Sequence, residues 1–158
     1  WDWGSGKWTM LEAKPQFQPA PHQIGLSTWM RERLRVIGTD EELLRQIWDL
    51  WEGPKPEAPP TLHLGPSASG AAVLADGKTI ERVIEQHRGL LGIEMEVYGV
   101  FEAASEAATP RPQAFALKSV VDFADAMKGD ETQAYAAYVS ASILRHFAER
   151  FLFVPASS

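Results

Sequence analysis

Two acidic clusters offer the clearest chemistry in the sequence. Glu94-Met95-Glu96 follows the apolar Leu90-Leu91-Gly92-Ile93 and reads as the opening of a helix over 94–104. Two carboxylates at a helix start complement its positive end, which is their simplest role. Asp122 stands where the mostly apolar stretch 113–121 ends, and Asp125 follows about one helical turn later. In open α/β sheets, ligands bind beyond the carboxyl ends of the strands. An acid there, beside Val120, Val121 and Phe123, would have its pKa raised by desolvation and could act as a general acid. It could equally be a helix N-cap. The residues alone leave both roles open.

Other motifs fall short of a site. Trp3-Gly4-Ser5-Gly6-Lys7-Trp8 has the glycines and lysine of a phosphate-binding turn. It lacks the first glycine of the P-loop pattern, and Trp8 stands where a hydroxyl residue would bind Mg²⁺. An ordinary turn is the better reading. His22, His63, His87 and His146 match no short metal-binding spacing and read as surface or packing residues. No Gly-x-Ser-x-Gly elbow occurs, and Ser69 lacks that context. The chain has no cysteine, which removes disulfides, Cys-ligated zinc, iron–sulfur clusters and thiol nucleophiles together.

These residues must be positioned by a single modest domain. The chain has 158 residues, 45% hydrophobic and 23% charged, enough apolar content to bury a core rather than remain disordered. Its 15 basic and 21 acidic residues give a net charge of −6, which argues against a general nucleic-acid binder, since phosphates would be repelled. No run of 18 or more apolar residues suggests a membrane span, and no signal-peptide pattern opens the chain. A cytoplasmic protein is the expectation. The first residue is Trp1, not Met, which points to a fragment, a processed chain or a renumbered one.

Hydrophobic period and capping residues give the elements. Residues 1–21 read as a loop, rich in glycine and proline. A first helix is expected over 27–36, capped by Ser27 and ended by Gly38, with Trp29, Met30, Leu34 and Ile37 on its apolar face. Thr39 and Glu42 suggest a capping box for a second helix with the stripe Leu43, Leu44, Ile47, Trp48, Trp51. The run 53–60 contains four prolines and reads as an extended connector. A short strand is expected at 61–64, a small-residue loop at 65–70, and a helix at 79–87. The apolar stretch 113–121 reads as a strand covered on both faces. A loop over 122–130 precedes a long helix over 132–151, with Ala136, Val139, Ile143, Phe147 and Phe151 in its stripe. Alternating strands and helices argue for an α/β architecture.

The order of four pieces adds a family likeness. Ser69-Gly70-Ala71-Ala72-Val73, Gly92-Ile93-Glu94-Met95-Glu96-Val97-Tyr98-Gly99, the run from Lys118 to Lys128, and Tyr135-Ala136-Ala137 occur in that sequence. Together they resemble the purine nucleoside phosphorylase and methylthioadenosine/S-adenosylhomocysteine nucleosidase superfamily. The likeness is strongest to a divergent bacterial branch fused to response-regulator or other signalling modules, which the opening residues 1–8 also resemble. It covers residues 1–154 but only the second half of the family domain.

The resemblance implies a three-layer α/β/α fold with a mixed central sheet, present here as a partial domain. Residues 1–60 would supply a loop, two helices and the Pro-rich connector; 61–154 the sheet, site loops and C-terminal helix; 155–158 a tail. It also implies cleavage of the N-glycosidic bond of a purine nucleoside or nucleotide, by water or phosphate, with no cofactor or metal. A cytoplasmic homo-oligomer with a fused N-terminal module is implied as well. Met95 would pack on the sugar, Glu96 would accept hydrogen bonds from the 2′- and 3′-hydroxyls, and Asp122 would protonate or hydrogen-bond the leaving purine. Ala72 and Val73 would line the base pocket. The sequence departs from the nucleosidases at two points: Val73 cannot stack on a purine as their phenylalanine does, and Val121 replaces the small hydroxyl residue common before the acid. Two other functional readings stand beside this one. The chain would be a non-catalytic purine-binding or regulatory domain of a bacterial signalling protein, or a structural α/β module with Glu96 and Asp122 as caps.

Overall fold

A computed structural model of the chain describes residues 2, 4, 6–12, 14–20, 22–70, 81, 83–85, 87, 89–120 and 133–153. It divides into two compact units, each built from two stretches of chain: residues 1–25 with 65–114, and 26–64 with 115–158. Its regular elements are helices and two small sheets, joined by irregular segments, a mixed α/β structure.

The first unit holds both sheets. Strands β1 (Gly6–Leu11) and β2 (Lys14–Pro19) form an antiparallel hairpin, with Leu11 opposite Lys14 and Gly6 opposite Pro19. That register leaves two positions for the turn, and Glu12 takes φ 48°, the left-handed region that such short turns demand. Pro15 and Pro19 fall on alternate pairs counted from the turn, where the strands exchange no hydrogen bonds and a missing N–H is tolerated. Trp8 and Met10 share one face of the ribbon and are exposed. Strands β3 (Ser67–Ser69) and β4 (Gly92–Glu94) pair in parallel, and Asp2 bridges Ser69 in the same sense. Residues 81 and 83–85 are helical and send Val83 into a small core with Ala68, Leu90 and Ile93. Helix α3 (Val97–Glu106) follows β4 directly.

The second unit packs helices α1 (Thr28–Gly38), α2 (Glu41–Asp49) and α4 (Gln133–Phe151) around one core. Met30, Leu34 and Ile37 from α1 meet Leu43, Leu44 and Ile47 from α2, and Tyr135, Val139, Ile143 and Phe147 from α4. Phe147 is fully buried, with its ring 4.8 Å from Phe115 and 6.3 Å from Trp29. Ser27 caps α1 by accepting the Met30 N–H at 3.2 Å. The Pro-rich connector turns back on α2, where Trp48 and Trp51 donate their indole N–H groups to the Pro56 and Pro54 carbonyls. Lys55 donates to the Trp48 and Trp51 carbonyls at 2.6 and 3.1 Å, and its ammonium lies 4.1 Å from the centre of the Trp48 ring. A cation on a helix's last carbonyls complements its negative end.

Several expected elements are corrected. Residues 1–21 are not a loop but contain the β1–β2 hairpin. The second helix is capped by Asp40, whose carboxylate accepts the Leu43 N–H at 3.1 Å; the Thr39 hydroxyl donates instead to Arg35 and Val36 carbonyls at the end of α1, so no Thr39–Glu42 capping box forms. No strand occupies 61–64; Leu62 and Leu64 pack against the helical core, and the strand lies six residues later. Residues 94–96 do not open a helix, because Glu94 ends β4 and α3 begins at Val97. The described part of the expected 113–121 strand has no regular hydrogen bonding: Phe115 and Leu117 pack on the helical core as an irregular segment, and Val120 is exposed. The small parallel pair agrees with the α/β class, while a three-layer arrangement does not appear among the described residues.

Candidate functional site

Glu94, Met95 and Glu96 lie at the carboxyl end of the parallel pair, the end at which α/β sheets bind ligands. Pairing of Ser67, Ala68 and Ser69 with Gly92, Ile93 and Glu94 sets the two strand ends level, and the Gly70 N–H extends the ladder to the Glu94 carbonyl at 3.0 Å. Only small side chains occur in β3, where Ala68 is fully buried and Ser69 is 4% exposed.

The loop between β4 and α3 divides the work of the two glutamates. One oxygen of Glu94, Oε2, accepts the Glu96 N–H at 2.7 Å and the Val97 N–H at 2.6 Å. Its other oxygen is buried with no hydrogen-bond partner among the described residues. Glu96 stands at the N-cap position of α3 yet makes no capping bond, and its side chain is exposed. Met95 is 45% exposed beside it. Buried Ser69 reaches across from β3 and accepts the Tyr98 N–H at 3.2 Å. Three amides at the start of α3 are thus held by side chains of two neighbouring strands, and Glu96 is not among those acceptors.

Tyr98 extends the arrangement outward. Its hydroxyl lies 3.0 Å from His22 Nδ1, and the two rings meet edge to face. Glu102 comes within 3.6 Å of the same histidine nitrogen. Partial burial, then the hydrogen bond and negative charge of Glu102, push the Tyr98 hydroxyl above the ordinary tyrosine range.

The remaining sequence candidates separate clearly. Ala72, Val73 and Asp122 lie outside the described residues. Gly6 and Lys7 belong to β1, with Lys7 opposite Gln18, so this glycine–lysine pair lies in an extended ribbon rather than a phosphate-cradling loop before a helix. His63 bonds Thr61, and His87 accepts the Gly89 N–H. No group of three metal-ligating side chains gathers among the described residues. No described helix is long and apolar enough to cross a membrane. Sequence reasoning missed Glu94 as an anchor and Ser69 as its partner. The available signal was a glutamate two positions before the N-cap, long enough to reach back to the first amides.

The chain is similar to three curated proteins. It is 36% identical over 152 residues to an uncharacterized protein, y4jS, of Sinorhizobium fredii, a match that covers 96% of this chain and 37% of that protein. It is 29% identical over 125 residues to two Escherichia coli proteins named ATP nucleosidase Cap17, covering 77% of this chain and 23% of each of theirs. The chain therefore spans well under half the length of these relatives. No protein-family profile and no solved structure matches it.

Proposed function

We propose that the intact protein containing this chain cleaves the N-glycosidic bond of a purine nucleoside or nucleotide. The observation that carries this reading is the exposed Met95–Glu96 pair at the carboxyl end of β3 and β4, on a chain similar to an ATP nucleosidase. Residues 1–154 form the later part of a nucleoside phosphorylase-like domain in this account. Glu94 rather than Glu96 takes the first amides of the loop, and the exposed Glu96 carboxylate accepts hydrogen bonds from the two ribose hydroxyls. Met95 packs against the sugar, and Ala72 and Val73 line the base pocket. Asp122 donates a proton to the leaving purine as the bond from the base nitrogen to C1′ breaks. Phosphate, or water that releases one proton to the solvent, then adds to C1′, and the Glu96 charge stabilises the cation that develops on the sugar.

The two acids should fail differently. Asp122→Asn cannot give a proton and should lower kcat by about 10²-fold or more while the nucleoside still binds. Glu96→Gln keeps a hydrogen-bond acceptor but loses the charge, so it should weaken binding and the transition state together. Purine release and adenosine binding would be measured on both variants of the intact protein. Full activity in Asp122→Asn would remove the acid role. Adenosine binding without release in the wild type would identify a purine-binding domain instead.

A further inference from the structure

We infer that Glu94 is the positioning residue of the ligand loop: from the end of β4 it holds the Glu96 and Val97 amides, so that Met95 and Glu96 present themselves in one fixed geometry. This rests on the glycosidase reading for its functional consequence and on the hydrogen bonds alone for its structural part.

The arrangement is more than an ordinary helix cap. A cap residue at the N-cap itself would tie the amides to the helix and move with it. Glu94 sits two residues earlier, inside a strand whose backbone is fixed by β3. Its single oxygen Oε2 takes both amides at 2.7 and 2.6 Å, short distances for a charge-assisted bond. The loop is thereby referenced to the sheet. Ser69 repeats the device from β3 by taking the Tyr98 amide. The buried second oxygen of Glu94 accepts nothing among the described residues, a desolvation cost that a serine or threonine cap would avoid. The carboxylate also lies at the positive end of α3, where Glu96 itself makes no capping bond. Binding groups held within about 0.5 Å of their working geometry are what such support provides.

The test compares Glu94→Ala and Glu94→Gln in the intact protein, with ATP and adenosine as probes. Hydrogen exchange at the Glu96 and Val97 amides reads the anchor without any ligand. Removing the acceptor should speed exchange at both amides by about tenfold, and Gln, whose amide oxygen still accepts, should recover most of that protection. In Glu94→Ala, KM for adenine release should rise and kcat should fall, lowering kcat/KM by about tenfold or more, again with partial rescue by Gln. Unchanged exchange at both amides would overturn the anchor. Faster exchange and a lower melting temperature with an unchanged kcat/KM would reduce Glu94 to a helix cap and overturn the positioning role. A wild-type protein that neither binds nor cleaves ATP or adenosine would overturn the glycosidase reading itself, and with it this function for Glu94, whatever the exchange result.

Discussion

Tyr135 buries its ring in the helical core, 7% exposed, and its hydroxyl has no hydrogen-bond partner among the described residues. Burial raises its pKa above the ordinary value, with the nearby Tyr138 adding to it. An unpaired buried hydroxyl costs about 1–3 kcal/mol. Tyr135→Phe keeps the ring beside Trp51 and removes that cost, so the variant should match or exceed wild-type stability in denaturant titration. A loss above about 1 kcal/mol would mean that the hydroxyl has a partner after all. On the outer face of the same helix, Arg145 donates to Glu149 at 2.8 Å, which lowers the Glu149 pKa and raises that of Arg145. A carboxylate with a depressed folded pKa adds stability above its unfolded value and loses it as pH falls through the folded one. An NMR titration of Glu149 should therefore give a midpoint below that of ordinary glutamate, moving upward in Arg145→Ala and in high salt. A wild-type midpoint at the ordinary value would contradict the pairing. At this scale the sequence shows residue types but not their division of labour. Glu94 and Glu96 look alike in Glu94-Met95-Glu96, and only the strand-to-helix path between them makes one an anchor and leaves the other exposed.

The helices were the legible elements, for reasons visible in single residues. Ser27 marks the start of α1, and the stripes of α2 and α4 repeat with the 3.6-residue period, so Leu43, Leu44, Ile47, Val139, Ile143 and Phe147 all fall in the core. Short strands hid because their usual signals are missing. The hairpin turns at Glu12 with neither Asn-Gly nor Asp-Gly at the turn, and β2 carries two prolines. Strand β3 is Ser-Ala-Ser, which has little strand propensity and is placed by its pairing with β4. The stretch 113–121 misled in the opposite sense. A continuous apolar run satisfies a buried strand, but Phe115 and Leu117 bury equally well as an irregular segment against helices. The C-terminal end of α2 gives the element-scale prediction. Lys55→Met keeps an apolar stem but loses the bond to the Trp48 carbonyl in the last turn of α2, the bond to the Trp51 carbonyl just beyond it, and the stacking on Trp48. It should destabilise the protein by about 1–2 kcal/mol, read as a lower denaturation midpoint with an unchanged slope. No change would mean that the connector is held by the two tryptophan bonds alone.

Across the whole molecule, the chain spans 37% of its Sinorhizobium relative and 23% of the two ATP nucleosidases. Its own described residues include one end of a parallel strand pair and the Met95–Glu96 loop, while Asp122 lies outside them. The order of short motifs such as Gly92–Gly99 made a nucleosidase likeness legible, and it agrees with the 29% identity to the two ATP nucleosidases. The base pocket proposed at Ala72 and Val73 was less legible, because neither is the aromatic residue that would declare a purine. The most direct test of the account is chromatography of ATP and of adenosine after incubation with the intact protein, beside the Asp122→Asn variant. The account predicts that free adenine accumulates from at least one of them, and that the variant releases it about 10²-fold or more slowly. Complete retention of adenine on its sugar in both, with the wild-type protein folded, would contradict it.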